Sequence, residues 1–209
     1  SILLTEYSNP FTRDRLLPAG RLRESKNNAV RADLIVVNKC PPQISPDEKI
    51  QLSKELALRP DQFVFFSHLK YGTPFSFFNP DIKLTLQKND SVVLFCGIAN
   101  PQLLEEYLSG IVHEIEVLKF ADHHQYSVGD LKKIQSAFQK LKDGRRFLVT
   151  TEKDAVRLSS LKEYIVNRGL EIYCMPVEAA FFEEDRLKFN DSVNSYVAQS
   201  IINRNDPEI

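Results

Sequence analysis

Two adjacent histidines follow an aspartate in the segment Phe120–Tyr126, a combination of side chains suited to acid–base chemistry. The segment comes directly after an apolar run that predicts a β-strand, and open α/β sheets bind ligands at the carboxyl ends of their strands. Asp122, His123 and His124 offer a proton acceptor, an orienting carboxylate and candidate metal ligands within one loop. Because neighbouring side chains point in different directions, we expect at most one histidine to face a given substrate atom.

Two further segments carry side chains that suit anionic groups. Arg21, Arg23 and Glu24 lie in a predicted turn, where the guanidinium groups would hold phosphate oxygens and Glu24 would orient one of them or a metal-bound water. Thr151 and Lys153 follow another predicted strand, where a hydroxyl, helix amides and an ammonium group suit a phosphate. Each segment also has a structural interpretation, the first as a solvated turn and the second as a helix cap.

Sequence motifs for nucleotide binding are weak in this chain. The run Val37-Asn38-Lys39-Cys40 is similar to the base-reading Asn-Lys-x-Asp motif of GTPases, but a cysteine stands where that motif has its aspartate. Asn38 and Lys39 therefore remain only candidate nucleotide-binding residues, and guanine specificity is not supported. The sequence contains no G-x-x-x-x-G-K-[ST] and no G-x-G-x-x-G. We expect that this chain cannot cradle a triphosphate by itself.

The elements that must position these residues follow an alternating pattern. Short runs rich in Val, Ile and Phe alternate with amphipathic segments, which predicts an α/β fold with βαβ units around a mostly parallel sheet. The predicted strands are 2–4, 33–38, 63–66, 81–87, 92–96, 114–120, 147–151 and 171–177, and the predicted helices begin near 46, 102, 128, 152 and 191. The alternating pattern begins a second α/β unit at Ser91, which predicts a domain boundary there and divides the chain into 1–90 and 91–209.

Composition restricts the class of protein. The 209 residues include 27 Lys and Arg against 28 Asp and Glu, a net charge of −1 that gives no sequence-wide attraction to nucleic acid. Cys40, Cys96 and Cys174 are far apart in apolar stretches, which favours reduced, buried thiols in the cytosol. The apolar stretch 92–99 is too short to cross a bilayer, which takes about 20 residues. The chain opens with Ser1 directly on a strand, so we expect an upstream portion to be absent and a sheet edge to be exposed.

Five segments, taken in order, resemble the tetraacyldisaccharide 4'-kinase family of the lipid A pathway in Gram-negative bacteria. They are Leu17-Pro18-Ala19-Gly20-Arg21-Leu22-Arg23-Glu24, Arg31-Ala32-Asp33, Gly97-Ile98-Ala99-Asn100-Pro101, Phe120-Ala121-Asp122-His123-His124-Gln125-Tyr126 and Thr150-Thr151-Glu152-Lys153-Asp154-Ala155-Val156. The resemblance implies Mg²⁺-dependent transfer of the ATP γ-phosphoryl group to the 4'-hydroxyl of tetraacyldisaccharide 1-phosphate, giving lipid IVA. It further implies a peripheral protein at the cytoplasmic face of the bacterial inner membrane. Residues 1–90 would complete a P-loop kinase-like domain with a connector, and 91–209 would form a smaller C-terminal α/β domain.

The resemblance also implies what this sequence lacks. In the family, the Walker A loop, the metal-holding aspartates and a membrane-binding helix precede the first matching segment, so ATP and Mg²⁺ would need that part and no metal ligand is expected here. We expect the chain alone to be an inactive fragment. By resemblance, a histidine of the Asp122 segment pairs with a carboxylate outside this chain to deprotonate the 4'-hydroxyl; His123 is favoured over His124 without being decided. Arg23 and Glu24 would lie near the phosphates or the disaccharide.

Three alternatives remain open from the residues. Asp122-His123-His124 is also the name motif of Asp-His-His metal phosphoesterases, although these need an Asp-x-Asp pair that this sequence lacks. A non-catalytic module that binds a nucleotide or a partner protein is the second. The third concerns Phe75, Phe77, Phe78 and Phe181-Phe182, which either contact acyl chains or pack against the core. The oligomeric state stays undetermined.

Overall fold

The computed structural model describes residues 1–142 and 144–205, with side chains described as far as 199. The strands are β1 (Ile2–Glu6), β2 (Leu34–Cys40), β3 (Phe63–Tyr71), β4 (Phe75–Ser76), β5 (Ser91–Cys96), β6 (Glu114–Lys119), β7 (Arg146–Thr151), β8 (Ile172–Met175) and β9 (Val177–Phe181). The α-helices are α1 (Pro46–Glu55), α2 (Gln102–Ser109), α3 (Val128–Lys140), α4 (Glu152–Leu158), α5 (Lys162–Asn167) and α6 (Glu183–Asn205), and Lys26–Arg31 and Ser159–Leu161 form 3-10 helices.

The chain forms two compact units, one of Ser1–Lys70 with the segment from Glu178 and one of Tyr71–Val177. This division differs from the sequence-based boundary near residue 91. The connector joins the second unit because β4 pairs antiparallel with β8, while β9 and α6 return to the first unit. The assignment of 1–90 to a nucleotide-binding domain stays a prediction.

The first unit is built on a four-stranded sheet with the order β1-β2-β3-β9, in which β1, β2 and β3 are parallel. Strand β2 is central, and its side chains Ile35 and Val37 are fully buried. Helix α1 begins at Pro46, where Ser45 caps its N-terminus in a reciprocal capping box with Glu48. The helix packs against the sheet through Leu52, which lies in the core. Strands β1 and β9 are the two outer strands of this sheet.

The second unit contains a five-stranded sheet with the order β4-β8-β7-β5-β6, parallel except for β4. After β5, the chain continues on one side to β6 and then crosses to β7 on the other side. Strand β5 therefore lies between β6 and β7, and every one of its six residues is buried. The order reverses between β5 and β7, which defines the topological switch point where sheets of this class bind ligands.

Three predicted elements differ from the structure. Residues 81–87 form no strand: only Lys83 makes an isolated bridge, to Phe75. The predicted strand 171–177 is two strands, since Pro176 has no N–H to donate and separates β8 from β9, which join different sheets. The final helix begins at Glu183 rather than near residue 191.

The aromatic residues considered for lipid contact pack within their own units. Phe77 and Phe78 are partly buried and pack against the core of the second unit. Phe181 stacks on Phe189 with ring centroids 4.5 Å apart, and Phe182 lies 4.8 Å from the ring of His68. Among the described residues, no helix has the length and apolar character needed to span a membrane.

Candidate functional site

The carboxyl ends of three neighbouring strands meet at the switch point of the second unit. Gly97 follows β5, the loop Ala121–His124 follows β6, and Thr151 ends β7 and begins α4. Residues that are 26 to 60 positions apart in the sequence are therefore brought into hydrogen-bonding contact, such as Gly97 with His123 and Arg157. We take this edge of the sheet as the candidate site.

Asp154 is the buried centre of this site. Its carboxylate is fully buried and accepts hydrogen bonds from the Gly97 backbone N–H at 3.1 Å, from Thr151 Oγ1 at 2.7 Å and from Arg157 Nη1 at 2.9 Å. The same Arg157 nitrogen donates to the Gly97 carbonyl at 3.0 Å. A buried carboxylate needs such partners to offset its lost hydration. The network thereby locks the loop after β5 to the first turns of α4.

Gly97 has no side chain at a point where the histidine loop and the buried aspartate both lie close to its Cα atom. A Cβ atom on this residue would lie 3.0 Å from the Ala121 carbonyl oxygen, 3.0 Å from His124 Cβ and 3.3 Å from Asp154 Oδ1. Both 3.0 Å separations are tighter than nearly all Cβ contacts in proteins, so any side chain would push the histidine loop away from the buried aspartate.

His123 presents its ring to solvent at this edge. Its side chain is 83% exposed, and its backbone lies in the left-handed region with φ +60°, which non-glycine residues seldom adopt. The backbone N–H donates to the Gly97 carbonyl at 3.2 Å, and Arg157 Nη2 lies 3.2 Å from His123 Nδ1. Asp122 Oδ2 lies 3.7 Å from Nε2 of the same ring. The His123 ring is thus exposed to solvent, with Arg157 beside Nδ1 and Asp122 beside Nε2.

His124 has a different environment and packs as a structural residue. Its ring stacks on Phe120 with centroids 4.8 Å apart, and its Nε2 lies 3.1 Å from Asp130 Oδ2. Burial alone would raise the pKa of Asp130, but hydrogen bonds from Ser127 and His124 outweigh it and lower the pKa to about 2. The two adjacent histidines therefore differ, because the His123 ring is exposed to solvent and the His124 ring contacts Asp130.

The predicted phosphate ligands of this unit differ in availability. The Thr151 hydroxyl donates to Asp154 Oδ2 and accepts from the Asp154 backbone N–H, so it caps α4 and a phosphate would have to compete with that cap. Lys153 is exposed in the first turn of α4. Tyr126 lies beneath the loop with a buried hydroxyl, and its pKa is raised by burial and by the Asp154 carboxylate.

The remaining candidate residues lie in the first unit. Arg21 pairs with Asp14, with 3.2 Å between Nε and Oδ2, and Glu24 pairs with Arg31 and accepts from Asn28 Nδ2 at 3.0 Å. Arg23 is exposed and makes no ion pair within the described part of the chain. Of the two arginines, Arg21 is paired with Asp14, and Arg23 has no carboxylate partner among the described residues.

Asn38 and Lys39 end β2 in the first unit. Lys39 forms an ion pair with Glu6 on the neighbouring strand, and its backbone has φ +55°. The Asn38 side-chain oxygen is buried without a hydrogen-bond partner among the described residues. Their role in nucleotide binding stays a prediction.

The side chains described in residues 1–142 and 144–199 include no group of three or more His, Cys, Asp or Glu suited to hold a metal ion. Asp122 lies 3.7 Å from the His123 ring and accepts from the His123 backbone N–H, while Asp130 accepts from Ser127, contacts His124 and lies 3.5 Å from Lys133 Nζ. The residues present do not fit a magnesium or two-metal site, so the Asp-His-His phosphoesterase alternative gains no support.

Sequence reasoning singled out the segment that contains Asp154 but gave this residue no role, and it did not identify Arg157. Asp154 carried a signal, because it stands three residues after Thr151 in the spacing of a helix cap. Arg157 carried none, since a lone arginine three residues further along a helix has no distinguishing pattern. Its contact with His123 spans 34 positions and depends on the order of the strands.

The chain is similar in sequence to a known protein family and to curated proteins. A family model described as Tetraacyldisaccharide-1-P 4'-kinase matches residues 1–197. Curated proteins named Tetraacyldisaccharide 4'-kinase are 39% identical over 100% of this chain in Bacteroides fragilis strain YCH46 and 37% identical over 98% of it in Phocaeicola vulgatus. The chain covers 57% of the length of each of these two relatives.

A solved structure shares the fold. The crystal structure described as the "apo" form of LpxK from Aquifex aeolicus in complex with ATP aligns with a TM-score of 0.52 at 21% identity. The alignment covers 90% of this chain and 50% of that protein. The family match over residues 1–197 shows that the chain belongs to the tetraacyldisaccharide 4'-kinase family.

Proposed function

We propose that this chain carries the histidine-bearing part of a kinase that transfers the γ-phosphoryl group of ATP to the 4'-hydroxyl of tetraacyldisaccharide 1-phosphate, giving lipid IVA. The observation that carries the proposal is the family match over residues 1–197, which includes the exposed His123 at the switch point. The two relatives from Bacteroides fragilis and Phocaeicola vulgatus carry the name of the same kinase.

His123 is proposed as the histidine that faces the sugar hydroxyl. It is exposed at the ligand-binding edge of the sheet, whereas His124 is engaged with Asp130 and stacked on Phe120. Phosphoryl transfer depends mainly on the positioning of the reactants and on neutralising the phosphate oxygens. The exposed ammonium group of Lys153 in this unit would serve the second need. The exposed Arg23 of the first unit is proposed separately as a phosphate-binding residue.

ATP and Mg²⁺ are proposed to be held by residues outside this sequence. The 209 residues contain no G-x-x-x-x-G-K-[ST] motif, and the described residues contain no metal cluster. In keeping with the family, the protein is proposed to act on its lipid substrate at the cytoplasmic face of the bacterial inner membrane, as a peripheral protein.

The test is a phosphorylation assay with γ-labelled ATP, Mg²⁺ and tetraacyldisaccharide 1-phosphate in mixed micelles. The protein encoded by the complete gene is expected to label the 4'-position, and the 209-residue chain alone is not. Absence of transfer by the folded product of the complete gene would refute the kinase. Transfer by the 209-residue chain would refute the proposal that ATP is bound elsewhere, and manganese-dependent hydrolysis of a phosphodiester would favour the phosphoesterase.

A further inference from the structure

A buried ion pair lies directly beneath the exposed His123 ring. The Arg157 side chain is 14% exposed, and its two terminal nitrogens have different partners. Nη1 donates to the Asp154 carboxylate and to the Gly97 carbonyl, which fixes the guanidinium plane. Nη2 is directed to His123 Nδ1 at 3.2 Å. The cation therefore connects the buried carboxylate to the exposed imidazole.

The chemistry of these groups determines which ring nitrogen carries the proton. A guanidinium group stays protonated and only donates hydrogen bonds, so the nitrogen that faces it must act as an acceptor. A neutral imidazole has one acceptor nitrogen and one N–H, so the proton of His123 must lie on Nε2. Asp122 Oδ2, at 3.7 Å from Nε2, is a negative group on the side where the proton then resides.

We propose that Arg157 is a positioning residue that fixes His123 as the Nε2–H tautomer, so that the ring offers a hydrogen-bond donor to its ligand. This inference rests on the proposed function, in which His123 faces the sugar hydroxyl. Because Nε2 already carries a proton, His123 does not itself take the hydroxyl proton at that atom. The proton acceptor is then the carboxylate outside this chain that pairs with the histidine, and the Nε2–H orients it. The hydroxyl O–H bond breaks and a carboxyl O–H bond forms, while the sugar oxygen bonds to the γ-phosphorus and the bond to the ADP oxygen breaks.

Asp154 is the anchor in this arrangement. A guanidinium that is mostly buried needs a paired carboxylate, and Asp154 provides it from the same helix, three residues away. The Gly97 carbonyl accepts from both the Arg157 side chain and the His123 backbone N–H, so the cation and the ring share one backbone support. A shift of Arg157 would therefore move its donor relative to Nδ1.

The tautomer is measured by ¹⁵N NMR on the complete gene product labelled at histidine nitrogens, at a pH where the rings are neutral. The expected spectrum shows His123 with a non-protonated Nδ1 and a protonated Nε2, while the exposed His113 serves as the reference ring. In Arg157→Lys, the tautomer ratio of His123 is expected to move toward that of His113. A protonated Nδ1 on His123 in the unmodified protein would overturn the proposal, whether or not the protein is a kinase.

Kinetics separate a positioning role from a purely structural one. Arg157→Lys keeps a cation for Asp154 but removes the planar guanidinium group that also reaches His123. We therefore expect kcat to fall about a hundredfold with little change in KM. In a His123→Ala background, the same change is expected to lower kcat no further. Equal losses in both backgrounds would refute the proposal. Arg168→Lys, an exposed substitution in the same unit, is the matched control. If Arg157→Lys does not fold, the spectrum of the unmodified protein decides.

Discussion

Replacement of Asp154 by alanine tests the buried network beneath the histidine loop. The substitution leaves three donors without their acceptor: the Gly97 N–H, the Thr151 hydroxyl and the Arg157 guanidinium. Breaking a buried ion pair by removing one partner costs about 3–5 kcal/mol. For a protein of this size, each kcal/mol lowers Tm by about 2–4 °C, so we expect a fall of about 6–20 °C.

The measurement is thermal unfolding followed by circular dichroism, with Glu152→Ala as the matched control. Glu152 lies in the same first turn of α4 but is exposed and has no ion pair within the described residues, so its loss is expected to change stability by no more than about 0.5 kcal/mol. An Asp154→Ala variant that melts within a degree or two of the control would refute the reasoning, because the network would then contribute nothing to stability.

Three further predictions concern acid stability, a helix cap and the thiols. Folding lowers the pKa of Asp130 from 3.8 to about 2, so the ionised carboxylate stabilises the folded state. This contribution to the free energy of unfolding is complete above pH 3.8 and is lost as the pH falls from about 4 to about 2. In the Asp130→Asn variant, the free energy of unfolding measured by urea titration should depend less on pH over this acid range. Ser45→Ala should cost about 1 kcal/mol in the same titrations, because it removes the side-chain cap of α1. Burial raises the pKa of Cys40 and Cys174 to about 11 and of Cys96 to about 12, so iodoacetamide at pH 8 should label them only after unfolding, and rapid labelling of the folded protein would contradict their burial.

Most elements were predictable because their signals are local. The Ser45-Pro46-Asp47-Glu48 start of α1 and the apolar run of β5 were read from the sequence, and the structure confirms both. Residues 81–87 alternate in polarity like a strand but find no neighbouring strand to pair with, beyond the Lys83 bridge. Pairing is a property of the whole fold, so the alternation alone was insufficient.

The candidate site was only partly predictable for the same reason. The Asp122-His123-His124 loop was identified from residue types, yet the sequence did not show which ring is exposed. That difference arises from Asp130, which binds His124, and from Arg157, which reaches His123 across the switch point. Contacts of this kind depend on the strand order.

The central claim is that His123 is the reactive histidine of a kinase of this family, and its most direct test is the turnover of two variants. In the complete gene product, His123→Ala is expected to lower kcat by at least about a hundredfold with an unchanged melting temperature, since the carboxylate that accepts the proton loses the group that orients it. His124→Ala is expected to lower the melting temperature, because it removes the partner of Asp130, and to keep most of the turnover per folded molecule. Near-normal turnover of His123→Ala, or a larger catalytic loss in His124→Ala, would contradict the account.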